Sequence, residues 1–375
     1  QSLQLRSMTL VRKHLLRASL ATLFASLFSF GCSDNSTRYF ERDRYPAKLS
    51  DWNLLSIKGD HLEISDETFV YDLNSPLFSD YAHKLRTIFI PENQMMTFDP
   101  EKTFEFPMKS VITKTFFYEK GMEGSVRISS SWSGDPSEIN LKKHRLIETR
   151  LLVKHADGWE AIPYIWRDEE AHLNLTGSIV RLALEEEPHS LNYLAPSKNQ
   201  CKSCHATNHT NGEILPIGPK ARHLNKSSPL YAVNQIDYLT DKGILSQVAS
   251  TIDKNAVYTD MGADLSHRAR SYLDINCGHC HNENGAADTS GLLLDYKDHK
   301  LAELGLCKPP IAAGRGSGGR MYSITPGRPE ESIMSYRLSS THPAAMMPEL
   351  GRALVDEAGV ALINEWISSL PGECI

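Results

Sequence analysis

Two pentapeptides carry side chains that can do chemistry together: Cys201-Lys202-Ser203-Cys204-His205 and Cys277-Gly278-His279-Cys280-His281. Both have the form CxxCH. On a helical turn, positions three and four apart share a face, so two thiols and an imidazole are presented side by side. This is the attachment pattern of c-type haem, in which the thiols bond to the two vinyl groups and the imidazole ligates the iron. Two covalently bound haem c groups are the expected cofactors. Cys201 and Cys204 would hold the first, Cys277 and Cys280 the second, with His205 and His281 as the iron ligands. A compact zinc module sets its CxxC pairs roughly 15–20 residues apart. Here 72 residues separate Cys204 from Cys277, and zinc leaves both following histidines without a role. A thioredoxin-like redox pair needs a βαβ context that the flanking sequence lacks.

The ligand on the far side of each iron decides what the haem does. A thioether there favours the reduced state and raises the potential. Downstream of the second motif lies Ala345-Met346-Met347-Pro348-Glu349-Leu350-Gly351, before a terminal helical pattern. It is similar to the methionine loop of small c-type cytochromes, where the ligand precedes a proline. Met347 is therefore the expected second ligand of the second haem, with Met346 as the alternative. No Met-Pro lies between the two motifs. His209, His223, Met261 and His267 are the candidates there for the first haem. A five-coordinate first iron would instead permit peroxide or gas chemistry.

The chain start carries a basic cluster, Arg12, Lys13, His14 and Arg17, followed by the uncharged run from Ala18 to Phe30. A run of this length suits a signal peptide and is short for a membrane span. Residues 1–31 read as that signal, with Met8 as its natural start. Ser29-Phe30-Gly31-Cys32 resembles a bacterial lipoprotein signal, although the pattern prefers Leu at Ser29. Cys32 would then be acylated and anchor the chain to the membrane. Ser33 after it, rather than Asp, resembles an outer-membrane address; without lipidation the protein would be soluble in the periplasm. Disulfides persist in an exported chain. With four cysteines used by haem and one by lipid, Cys307 and Cys374 remain and are expected to pair.

These groups need elements to position them. Residues 32–50 are polar and read as a tether. From 51 to 195 the runs are β-branched and aromatic: Thr87 to Ile90, Ser110 to Tyr118, Leu146 to Lys154 and Trp159 to Trp166. Turn residues such as Pro91, Gly134-Asp135-Pro136 and Asp157-Gly158 separate them. That pattern predicts a mainly antiparallel β-domain. After Pro196 the runs turn helical, at Leu230 to Leu239, Ser266 to Ile275, Ser332 to Leu338 and Asp356 to Leu370. The expected fold is α+β and multidomain. The β-domain is followed by an all-α cytochrome c-type haem region: a first haem segment over 196–255, and a cytochrome c-like domain with the second haem over 256–375. A formal charge of -6 gives no basic footprint for nucleic acid.

The chain as a whole resembles an uncharacterised bacterial family of di-haem c-type cytochrome lipoproteins. The resemblance lies in Ser75-Pro76-Leu77-Phe78-Ser79-Asp80, Glu148 to Leu152, Asn199 to His205, Arg268 to Leu273 before Cys277, and Pro326 to Gly351. It implies haem binding and electron transfer, with a periplasmic redox partner protein, and supplies no substrate. Asp80, His83, Glu148, His155 and His172 are scattered over the β-region, and no catalytic set is expected among them. Two other functions are open at this point. One is a haem enzyme, peroxidase-like or a substrate oxidase, with an open first haem. The other is a β-domain binding module with structural haems.

Overall fold

The computed structural model describes residues 36–375, apart from 187–189, 249–250 and 312. The proposed signal peptide and Cys32 lie outside the described residues. Residues 37–375 form one compact unit. Among the described residues no helix is long and apolar enough to cross a membrane.

Eleven strands run from Leu55 to Ala195. They are β1 (Leu55–Lys58), β2 (His61–Ile64), β3 (Thr68–Val70), β4 (His83–Phe89), β5 (Val111–Lys120), β6 (Val126–Arg127), β7 (His144–His155), β8 (Gly158–Arg167), β9 (Glu170–Leu173), β10 (Ser178–Ala183) and β11 (Ser190–Ala195). All pairings are antiparallel. The main sheet has the order β3-β4-β5-β7-β8-β9, with β6 on β5; β1–β2 and β10–β11 form separate hairpins. The β-rich, antiparallel reading of this part of the sequence agrees with the structure. Asp157 turns the β7–β8 hairpin, and Gly158 takes the positive φ of 125° that the turn requires.

Side chains alternate across a strand. Here both faces are apolar. Leu85, Val111, Leu151, Val153 and Ile162 point to a core built around Trp52. Ile88, Ile112, Leu152 and Ala161 point the other way, into a core shared with Cys201, Leu224, Ile236 and Ile275. The chain after residue 196 covers that second face.

Among its described residues the α-helices are α1 (Lys198–His205), α2 (Ala221–Leu224), α3 (Gln235–Asp241), α4 (Leu265–Asn276), α5 (Ile333–Ser339) and α6 (Glu357–Ser369), with three short 3-10 turns between α4 and α5. They occupy the smaller part of this stretch. Turns and irregular chain make up the rest, so this part is less helical than an all-α domain. The helix expected from Leu230 begins only at Gln235, because the Asn234 side chain accepts from Ile236 N and caps it there. Asp264 and Asp356 cap α4 and α6 in the same way. Pro371 follows the end of α6. Helices α4 and α6 cross closely at Gly359, where an added Cβ would sit 2.3 Å from the Tyr272 hydroxyl. Tyr272 donates to Asp356 Oδ2 at 3.0 Å, and Trp366 Nε1 donates to Ser266 Oγ at 3.0 Å.

The segment Ser75–Tyr81, between β3 and β4, ties sheet to helices. Ser75 Oγ donates to the Ala256 carbonyl at 2.7 Å, and Phe78 N donates to Asn276 Oδ1 at 2.8 Å. Asp80 Oδ1 accepts from Ala353 N and Leu354 N at 2.7 and 2.8 Å. Removing this carboxylate leaves two backbone donors without their acceptor. Asp80→Ala is expected to lower stability by about 2 kcal/mol, read as the midpoint of urea unfolding. A midpoint equal to wild type would show that the turn does not hold residues 353–354.

Candidate functional site

Helix α1 is started by a capping box. Ser197 Oγ accepts from Gln200 N at 3.2 Å, and Gln200 Oε1 accepts from Ser197 N at 2.9 Å. The cap fixes the rotation of a helix that presents Cys201, Cys204 and His205. The second motif follows α4 and continues as tight turns, with Cys280 N and His281 N both donating to the Cys277 carbonyl. All four motif cysteines are free thiols. Burial pushes the Cys277 and Cys280 thiols up to about 12.

The fold brings the two motifs together. Cys280 Sγ lies 3.6 Å from the Ser203 carbonyl. His209 N donates to the Asn284 carbonyl at 2.8 Å, and the His209 Nδ1 lies 2.9 and 3.0 Å from the carbonyls of Asn284 and Gly285. A cavity of about 160 Å³, open to solvent on one side, lies beside this junction. Cys201, Cys204, His205 and His279 line it, and its walls are mostly apolar, with Leu73, Leu77, Phe78, Ile112 and Leu152 contributing.

Each motif's final imidazole is held by a hydrogen bond at Nδ1. His205 Nδ1 lies 2.8 Å from the Leu215 carbonyl. A carbonyl only accepts, so Nδ1 carries the proton and Nε2 keeps its lone pair. Burial pushes the His205 pKa down to about 4, so the ring is neutral at neutral pH. His281 Nδ1 lies 3.2 Å from Ser290 Oγ. That hydroxyl donates to the Ala287 carbonyl at 2.6 Å, so it accepts from His281 and again leaves Nε2 free. Burial pushes His281 down to about 4 as well.

Met347 lines the same cavity as the first motif; Met346, Cys277, Cys280 and His281 do not. The methionine loop is clamped by arginines. Arg352 Nη2 donates to the Met347 carbonyl at 2.8 Å, and Arg337 Nε donates to the Ala345 carbonyl at 2.8 Å. After burial, the Arg337 charge from α5 lowers the His281 pKa further, and the Glu349 charge from the loop adds to the rise at Cys280.

The four candidates for the first haem all point elsewhere. His223 is engaged by Asn255 at 3.2 Å and Asp274 at 3.4 Å. His267 Nε2 lies 3.0 Å from the Lys254 carbonyl. Met261 is 72% exposed, and His209 faces the second motif. His279 occupies a spacer position of the second motif. It is buried, lines the cavity, and its Nδ1 has no hydrogen-bond partner of good geometry. A histidine inside a CxxCH spacer was the available signal. Cys307 and Cys374 are joined by a disulfide, which ties an irregular loop to the chain beyond α6.

Asp274 anchors the helix that leads into the second motif. It accepts from Arg222 Nε and Nη2 at 2.7 and 2.8 Å and from Asn255 Nδ2 at 2.9 Å. These bonds hold its carboxyl below the usual range despite burial. Among the described residues, no three or more His, Cys, Asp or Glu side chains converge as a metal site.

A comparison with protein-family models, curated proteins and solved structures finds no match.

His223, in the Asp274 cluster, gives a pH dependence. Burial pushes its pKa down to about 3, from an ordinary 6.5. The unfolded chain therefore binds more protons between those values, and stability falls as pH drops through that window. The urea midpoint is expected to be lower at pH 5 than at pH 7, with a smaller drop in His223→Gln. An equal drop in the variant would remove His223 from the account.

Proposed function

We propose that the chain is a di-haem c-type cytochrome that transfers electrons in the bacterial cell envelope. The observation that carries this reading is the meeting of two CxxCH motifs, distant in sequence, beside an apolar cavity into which His205 presents a neutral imidazole. The donor set fits haem c: paired free thiols with a histidine following, once per motif. A four-ligand zinc centre needs converging ligands, and no such group is present among the described residues. Bound haem would supply a one-electron carrier.

Cys201 and Cys204 would hold the first haem and Cys277 and Cys280 the second, with His205 and His281 as ligands. The Leu215 carbonyl and Ser290 hydroxyl orient these rings. Met347, steadied by Arg352, would be the thioether ligand of the second haem, and His279 would be a second imidazole available to the first. On this reading residues 256–375 are the cytochrome c-like part, and α4 and α6 are its crossing helices. Cys32 is the lipid anchor, which places the protein at the periplasmic face of the outer membrane, and a periplasmic protein is the redox partner. The cavity mouth favours one alternative, a haem enzyme whose first iron binds a small molecule.

Maturation in a host that attaches c-type haem is expected to add the mass of two haems, and of one in Cys201→Ser/Cys204→Ser. The far-red band of His/Met ligation is expected to vanish in Met347→Ala. Carbon monoxide and cyanide are expected to leave wild type unchanged and to bind His279→Ala. Binding to wild type would favour the enzyme, and a protein without covalent haem would end both readings.

A further inference from the structure

The strands facing the cavity set three cations in a row. The register pairs Arg86 of β4 with Lys114 of β5, and Lys114 with Arg150 of β7. All three line the cavity alongside Cys201, Cys204 and His205. Like charges directly opposite on one sheet face destabilise it. Local counter-charges cover the row only in part. Glu148 takes Arg150, accepting from Nε at 3.0 Å and Nη2 at 2.5 Å. Arg86 donates Nη1 to the half-exposed Asp72 at 3.2 Å, while its Nη2 is buried without a partner. Arg86 as a whole is only 3% exposed. The Lys114 side chain forms no hydrogen bond or ion pair with any described residue; its Nζ lies 4.9 Å from the Phe116 ring centre.

A guanidinium N–H buried without a partner costs free energy until one arrives, and the half-buried Lys114 faces the cavity beside it without a protein counter-charge. Water in the cavity is a weak partner for three adjacent charges. A carboxylate or other oxyanion is a strong one, because charge-assisted bonds to Arg and Lys are short and roughly twice as strong as neutral ones. Burial, reinforced by Arg86 and Arg150, also presses the Lys114 ammonium well below its ordinary pKa, which is the strain a bound anion would relieve.

We infer that Arg86, Lys114 and Arg150 form an anion-binding site on the sheet wall of the cavity, for carboxylate or comparable oxyanion groups. The anion has two possible sources. One is the pair of propionate groups of a haem attached at the first motif, which rests on the function proposed above. The other is a small oxyanion from solution, which does not.

The test uses the full chain matured with haem, as wild type, Arg86→Gln, Lys114→Gln and Lys114→Met, with covalent haem checked by mass. Calorimetric titration with inorganic phosphate and with acetate reads the solution source. Saturable binding in wild type, weakened about tenfold or more in each variant, is the expected result for that source. Redox titration reads the haem source. There no added anion binds, and one of the two potentials falls in every variant while the other stays fixed, because removing a positive charge disfavours the reduced state. Two haems by mass, no anion binding and unchanged potentials would overturn the site. If mass shows no haem, the cytochrome reading fails on its own, and the phosphate titration still decides the site: binding supports it, and none overturns it. The paired Lys114 variants keep the test valid where Arg86→Gln fails to fold.

Discussion

The structure depends on a sheet that buries apolar side chains on both faces. β5 and β7 are buried along nearly their whole lengths. Such strands are stable only when both faces are covered. One face closes on the Trp52 core. The other must be covered by later chain, and the residues that do so include Cys201, within α1, and Ile275, near the end of α4. The hydrophobic requirement of the sheet is therefore what brings two distant motifs to one place. Each motif sits at the end of an element whose apolar side chain is already committed to the same core.

Apolar packing sets proximity but not orientation. Orientation comes from polar bonds made by short segments. The Ser197 capping box fixes α1, the Asp274 cluster fixes the end of α4, and the Ser75–Tyr81 turn bonds to residues 256, 276 and 353–355 at once. That turn belongs to the site through the walls it holds. Leu77, Phe78 and Ser79 line the cavity while Ser75 and Asp80 hold its walls.

Legibility in the sequence followed the range of the forces involved. Strands β4, β5, β7 and β8 are visible as β-branched and aromatic runs because strand preference is local. The CxxCH motifs are visible because their spacing lies within one helical turn. The helix expected from Leu230 is shortened because one Asn at position 234 outweighs the apolar periodicity before it. Nothing local announces the cavity, whose walls come from the β3–β4 turn, strands β4, β5, β7, β8 and β11, helices α1, α4, α5 and α6, and the Met347 loop. The row of Arg86, Lys114 and Arg150 is equally hidden. Its members are 28 and 36 residues apart, and only the strand register makes them neighbours. His279 is hidden for another reason: spacing read as a motif treats the residues between the cysteines as filler.

The cavity's two polar features are not independent. His205 is neutral first because it is buried, and next in the same direction because Lys114 and Arg150 repel a proton from its ring. The same two charges act on Cys204 in the opposite sense to burial, favouring the thiolate. Cations on the sheet wall thus bias the groups on the α1 wall toward their lone-pair forms. A ligand wall kept neutral and a sheet wall kept positive follow from one arrangement of strands. The sheet that draws the motifs together also sets the electrostatic character of the space they face.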